Sequence, residues 1–218
     1  MRERGRFIVL EGGEGAGKST QAARLAKRLK ALGLTALLTR EPGGSEGAEA
    51  IRRLLVSGQA DRWDPLTETL LHFAARADHL GKTVRPALQR GQWVVSDRFA
   101  DSTMAYQGYG LGVDRRLIEI LTRAVVGPLK PDLTILLDLP IKIGLKRAKG
   151  RGASRGDDRY ERMTRAFHRR LRRGYLEIAR RQRARYVVID AARPPDMVAA
   201  DIWTAVRERL KLKGRRKS

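Results

Sequence analysis

The sequence predicts an α/β fold, with one five-stranded parallel sheet and helices on both of its faces. Three observations predict it. Five short apolar runs alternate with stretches whose apolar residues recur at helical spacing. One of those runs, Leu133-Thr134-Ile135-Leu136-Leu137-Asp138, reads as the continuous apolar strand of a sheet covered on both faces. Between the first run and the first helix stands Gly12-Gly13-Glu14-Gly15-Ala16-Gly17-Lys18-Ser19, the phosphate-loop pattern Gly-x-x-x-x-Gly-Lys-Ser.

The first strand is Phe7-Ile8-Val9-Leu10, and Ala22, Leu25, Ala26 and Leu29 mark the helix behind the loop. Glycines let the loop curl so that successive N–H groups face one concavity, and the helix adds its positive end. The residues placed to hold a nucleotide are Gly12, Gly13, Glu14, Gly15, Ala16, Gly17, Lys18, Ser19 and Thr20. Lys18 can reach the outer phosphates and Ser19 can ligate Mg²⁺. The second strand is Thr35 to Thr39, broken by Arg40-Glu41-Pro42-Gly43-Gly44 at the carboxyl edge of the sheet, where ligands bind in open α/β folds. A short helix covers Ala48 to Val56. A longer helical stretch runs from Asp64-Pro65 to about Arg90, with His72, Arg76 and His79 on one face, either lining a pocket or partly exposed. The two histidines have no metal-site spacing.

The third strand, Trp93 to Ser96, leads straight into Asp97-Arg98. Arg98 can bind an acceptor phosphate, and Asp97 can hold Mg²⁺-bound water or fix Arg98. Phe99 to Gly112 offers Asp101, Ser102, Thr103, Tyr106 and Gln107, side chains suited to a base or sugar, and its glycines suggest a mobile or tightly turned exit. A helix follows from Asp114 to Val126, and Pro140 opens another over Ile141 to Lys149. Residues 147–158 form a glycine-punctuated basic flap that could fold over phosphates, or a solvated loop. Asp158 and Glu161 suggest a capping box for a helix running to about Arg183, with Phe167, Leu171, Tyr175 and Ile178 inward. The fifth strand is Tyr186 to Asp190, and Asp196 to Leu210 closes the chain before a basic tail at 211–218.

The 218 residues suit a single domain, and no linker or repeat divides them. The absence of cysteine excludes disulfides and thiolate chemistry. No apolar run reaches membrane-spanning length and no signal-like segment opens the chain, which leads to the expectation of a cytoplasmic protein. The net charge of +22 fits either a nucleic-acid surface or an arginine-rich nucleotide enzyme. Residues 141–185 hold 17 Lys and Arg against four acids, so the charge gathers around the flap. A GTPase would need an Asn-Lys-x-Asp stretch, which is absent. The constellation suits phosphoryl transfer to a second substrate lying among Glu14, Arg40 to Gly44, Arg76, Arg98 and Gln107.

With those residues assembled, the chain resembles the bacterial thymidylate kinases, members of the P-loop nucleoside monophosphate kinases, along nearly its whole length. The resemblance rests on FIVLEGGEGAGKSTQ at 7–21, TREPGG at 39–44, DRFADSTMAYQG at 97–108 and DRYE at 158–161. It implies a P-loop kinase fold, transfer of the ATP γ-phosphoryl to dTMP with Mg²⁺ to give dTDP and ADP, and a homodimer with no specific nucleic acid or membrane partner. Another nucleoside monophosphate kinase is the alternative. By the same resemblance Lys18, Arg98 and a flap arginine serve catalysis, with Arg151 first and Arg147 or Arg155 in reserve. Glu14 lies by the deoxyribose 3′-hydroxyl, and Glu41-Pro42 forms a cis peptide beside the acceptor. Arg76, Ser102 and Gln107 lie on the base side and Tyr106 packs near the sugar, while Ser19 and Asp97 attend the metal. The chain departs from the family in one place. The phenylalanine that stacks on thymine commonly lies four residues before the helix arginine, where this sequence has His72, with Phe73 next along.

Overall fold

The computed structural model describes residues 4–59, 61–150 and 159–212. Five strands, β1 (Phe7–Glu11), β2 (Ala36–Arg40), β3 (Trp93–Asp97), β4 (Leu133–Asp138) and β5 (Tyr186–Asp190), form one parallel sheet in the order β2-β3-β1-β4-β5. Period-two alternation divides β1 between the two faces. Ile8 and Leu10 join a core with Ala22, Leu25 and Leu29 of helix α1 (Lys18–Ala31) and with Val198, Ile202 and Val206 near the chain's end. Phe7 and Val9 pack on the other face against Leu80, Val84, Leu88 and Phe99. A third cluster joins Leu136 and Tyr186 to Phe167, Leu171 and Tyr175.

The remaining helices are α2 (Glu46–Val56), α3 (Pro65–His79), α4 (Arg85–Gln89), α5 (Ala100–Thr103), α6 (Arg115–Val126), α7 (Ile141–Lys149), α8 (Arg165–Arg181) and α9 (Pro195–Arg209). Asp64 caps α3 by accepting the N–H groups of Leu66 and Thr67, with Pro65 in the first turn. The helical stretch expected from 64 to 90 is continuous, but it widens into a π-type turn over Leu80–Val84. Pro86 has no N–H to return to the carbonyl of residue 82, which loosens the backbone there.

Of the mobile or tightly turned exit expected after Phe99, the structure has the tight one. Helix α5 passes into a buried π-type turn, Met104–Gly110, and a Cβ at Gly110 would stand 2.4 Å from the Phe167 ring. The glycines there permit close packing. One expectation is overturned, because the capping box at Asp158 and Glu161 is not the start of α8. Residues 159–163 form turns, and Thr164 caps α8 with its hydroxyl oxygen accepting the Phe167 N–H at 3.2 Å. Asp158 itself, like the flap at 151–158 and the tail from 213, lies outside the described residues.

Candidate active site

The strands β1 and β3 are neighbours, with Leu10 paired to Asp97, so their carboxyl ends deliver the phosphate loop and the Asp97-Arg98 pair to one edge. A cleft of about 1740 Å³ opens there. Lys18, Asp97, Arg98, His72, Arg76 and Gln107 are among the residues that line it.

The loop closes tightly over α7. Gly15 has φ +70°, and a Cβ on it would lie 2.1 Å from the Gly144 carbonyl oxygen. No side chain, and so no loop arginine, fits at that position. The Lys18 amine donates to the Gly13 carbonyl at 2.8 Å. Burial, and then the charge of Arg98, bring its pKa down to about 8. The Ser19 hydroxyl donates to Asp97 Oδ2 at 2.5 Å. Asp97 Oδ1 is buried with no hydrogen-bond partner among the described residues. Asp97 therefore meets Ser19 in an oxygen-only pair, a donor set that would suit a hard cation. Among the described residues no group of three or more His, Cys, Asp or Glu gathers into a metal cage.

Arg98 follows with φ +72°, a left-handed backbone rare for a non-glycine residue. Its Nη2 donates to Glu14 Oε1 and to the Tyr106 hydroxyl, both at 2.8 Å, and its Nη1 donates to the Gly12 carbonyl at 3.1 Å. Behind it lies a carboxylate that sequence reasoning missed. Glu11 is fully buried and accepts the Phe99 N–H at 2.9 Å, the Ser102 hydroxyl at 2.6 Å and the Tyr175 hydroxyl at 3.1 Å. Burial, and then the charge of Asp101, push Glu11 up to about 7. Ser102, which lines the cleft, gives its hydroxyl proton to this buried carboxylate. Asp101 is likewise engaged, by Arg185 and the Tyr186 hydroxyl.

The other end of the cleft is built on α3. The Glu41–Pro42 peptide is cis, and Glu41 is buried between Arg76 Nε at 2.8 Å and His79 Nδ1 at 3.1 Å. His79 Nε2 meets the Thr39 hydroxyl at 2.7 Å. Arg76 Nη2 donates to the Phe99 carbonyl and the Thr103 hydroxyl. Its Nη1 has no partner among the described residues. Gln107 donates through Nε2 to Glu68 Oε1 at 2.8 Å, and its Oε1 is also unpartnered. Among the described residues, Arg76 and Gln107 thus bring a spare donor and a spare acceptor to this end of the cleft, on side chains otherwise held in place.

His72 lines this end and meets the Tyr160 hydroxyl at 3.1 Å. Burial, and then the charge of Arg76, hold its pKa down at about 3, so the imidazole is neutral. Phe73, the second stacking candidate, does not line the cleft. It is buried, with its ring 5.0 Å from the Arg76 guanidinium carbon. Adjacent residues on a helix point about 100° apart, so both cannot face the same pocket. Arg147, held in reserve for catalysis, is bonded to the backbone after β5. It donates to the Ala191 and Ala192 carbonyls at 2.7 and 3.1 Å and is absent from the cleft lining. Arg151 and Arg155 lie outside the described residues. Glu68, Arg159, Tyr160 and Tyr175 were not read as site residues. The DRYE stretch at 158–161, which carries part of the family resemblance, is the signal in the sequence for Arg159 and Tyr160.

A profile described as thymidylate kinase matches residues 10–202. The chain belongs to the thymidylate kinase family. It is 58% identical over 208 residues to a thymidylate kinase of Caulobacter vibrioides, covering 95% of this chain and 99% of that one. It is 54% identical over 207 residues to one of Bradyrhizobium diazoefficiens, covering 95% and 91%. The crystal structure of a thymidylate kinase from Ehrlichia chaffeensis superposes with a TM-score of 0.74 at 32% identity, over 93% of this chain and 99% of that chain. The five-stranded parallel sheet with its surrounding helices is the fold of that family.

Proposed function

We propose that this protein transfers the γ-phosphoryl of ATP to dTMP, giving dTDP and ADP. The observation that carries the acceptor assignment is that Arg76, with a spare donor, and Gln107, with a spare acceptor, line the same cleft. Thymine presents the complement, an O4 acceptor next to an N3–H donor. Cytosine presents the reverse, and each buried mismatch would cost roughly 1–3 kcal/mol.

The loop N–H groups from Gly13 to Ser19 hold the donor phosphates, and Lys18 balances charge at the outer ones. Arg98, fixed by Glu14 and Tyr106, holds the acceptor phosphate. Glu14 lies at the sugar, Tyr106 packs beside it, and His72 covers a face of the base. A phosphate monoester already carries its nucleophilic oxygen, so alignment and charge balance suffice without a strong general base. Ser19 and Asp97 are the residues that would hold Mg²⁺, which would neutralise phosphate charge when bound. Because Gly15 leaves no room for a loop arginine, the arginine that reaches the transferring group is assigned to the flap, with Arg151 first and Arg155 in reserve.

The homodimer reading draws support from exposed Leu54 on α2, Leu66 and Leu70 on α3 and Ile120 on α6. Among the described residues no helix is long and apolar enough to cross a membrane, in keeping with a cytoplasmic enzyme. The test is dTDP formation from ATP, Mg²⁺ and dTMP. Wild type should form dTDP and a folded Lys18→Ala variant should lose most turnover. Near-normal turnover in that variant would remove Lys18 from the mechanism.

A further inference from the structure

We propose that Glu68 is the positioning residue that makes this site select a pyrimidine with a 4-carbonyl, by locking the Gln107 amide with its oxygen toward the base. The inference rests on the dTMP reading of the cleft. A glutamine amide is nearly symmetric in shape. Turned over by 180°, it exchanges a donor for an acceptor with little steric change. Gln107 can read a base edge only if something forbids that rotation.

Glu68 forbids it by chemistry. It is fully buried on α3, where its Oε1 accepts from Gln107 Nε2 at 2.8 Å and from the Tyr160 hydroxyl at 2.7 Å. Its Oε2 pairs with Arg159 Nη2 at 2.5 Å. An ionised carboxylate only accepts, so the amide nitrogen must face it. The Tyr160 proton goes to Glu68, so the Tyr160 oxygen accepts the second Gln107 N–H at 3.2 Å. His72 Nε2, 3.1 Å from that oxygen, completes the set as a donor. Both amide protons of Gln107 are then spent away from the cleft, which leaves Oε1 for the ligand. Arg76 needs no such lock, because a guanidinium donates in every orientation.

Glu68→Gln separates this role from mere packing. Arg159 can only donate, so it would hold the new side chain by its oxygen. The new amide nitrogen would then face Gln107. Two NH₂ groups cannot pair, and Gln107 turns over to offer its oxygen to residue 68. The cleft then presents a donor to thymine N3–H. The ratio of kcat/KM for dTMP over dCMP should fall by roughly 10–100-fold. Glu68→Asp keeps an acceptor-only group and should keep the base preference even as KM rises. If wild type itself does not prefer dTMP to dCMP, the reading of the cleft fails. If wild type prefers dTMP and Glu68→Gln keeps the same ratio, or Glu68→Asp loses it equally, the assignment of Glu68 fails. Should Glu68→Gln not fold, the wild-type amide answers the question by NMR. The Gln107 side-chain protons, identified by their loss in Gln107→Met, should exchange slowly with water in the substrate-free protein. Fast exchange would overturn the lock.

Discussion

Lys18 is an amine buried at the phosphate loop, and its charge is available only below a pKa of about 8. Its two pH effects have opposite signs. As pH rises through about 8 the amine loses its proton and its hold on phosphate, so kcat/KM for ATP should fall there. Between about 8 and the ordinary lysine value of 10.5 the unfolded chain binds more protons at this position than the folded one. The contribution of Lys18 to stability therefore rises with pH across the same window. A kcat/KM profile for ATP that stays flat to pH 9.5 would contradict the depressed pKa. On α3, His72 lines the cleft while Phe73 is buried away from it. Phe73→Ala should cost about 3–5 kcal/mol of stability, because a buried ring is removed. His72→Ala should raise KM for dTMP while the melting temperature moves little. Thermal unfolding and dTMP kinetics on the two variants decide this, and an unchanged KM in His72→Ala would remove the imidazole from the base. The ring is neutral above about pH 3, so it adds no titration to dTMP binding near neutrality.

At the level of elements, α7 joins the phosphate loop on one side to the turn after β5 on the other. The Gly15–Gly144 contact makes the first junction and the Arg147 bonds to Ala191 and Ala192 make the second. Arg147→Ala should therefore lower stability by about 1–3 kcal/mol and leave kcat within a few-fold of wild type. A severe loss of kcat with unchanged stability would put Arg147 at the transferring phosphate after all. The elements themselves were largely legible. Continuous apolar runs gave β4 and β5 with the bounds observed, and Pro140 before Ile141 gave α7. The start of α8 was not legible, because Asp158 and Glu161 mimic a cap while Thr164 makes the real one. The phosphate loop was legible because its chemistry lies in one contiguous stretch, and Arg98 drew notice because a charged pair stands directly behind an apolar run. The network behind the base edge was not legible. Glu68 on α3, Gln107 in the π-type turn and Tyr160 before α8 meet only after folding, and 39 and 53 residues separate Gln107 from its two partners. Glu11 and Tyr175 were hidden for a different reason. Each sits in a strongly apolar pattern, and only its polar end takes part in the site.

For the whole molecule, the net charge of +22 is the property that sequence reasoning left with two readings. The cleft takes up part of it, with Lys142, Lys146 and Lys149 of α7 and Arg165 and Arg169 of α8 along its rim. Both substrates are anions, and a positive rim raises their local concentration and their on-rates. DNA binding should be weak and should fall steeply with salt through counterion release, and dTMP turnover should need no DNA. A sequence-specific DNA complex surviving physiological salt would assign the charge differently. The most direct measurement is a competition of nucleoside monophosphates for one limiting pool of ATP with Mg²⁺. The Arg76–Gln107 pair predicts dTMP first and dUMP close behind, since burying one methyl carbon is worth about 0.8 kcal/mol. It predicts dCMP at least tenfold poorer in kcat/KM, from roughly 1–3 kcal/mol for each mismatched buried group. Equal use of dCMP and dTMP, or a preference for a purine monophosphate, would contradict the assignment.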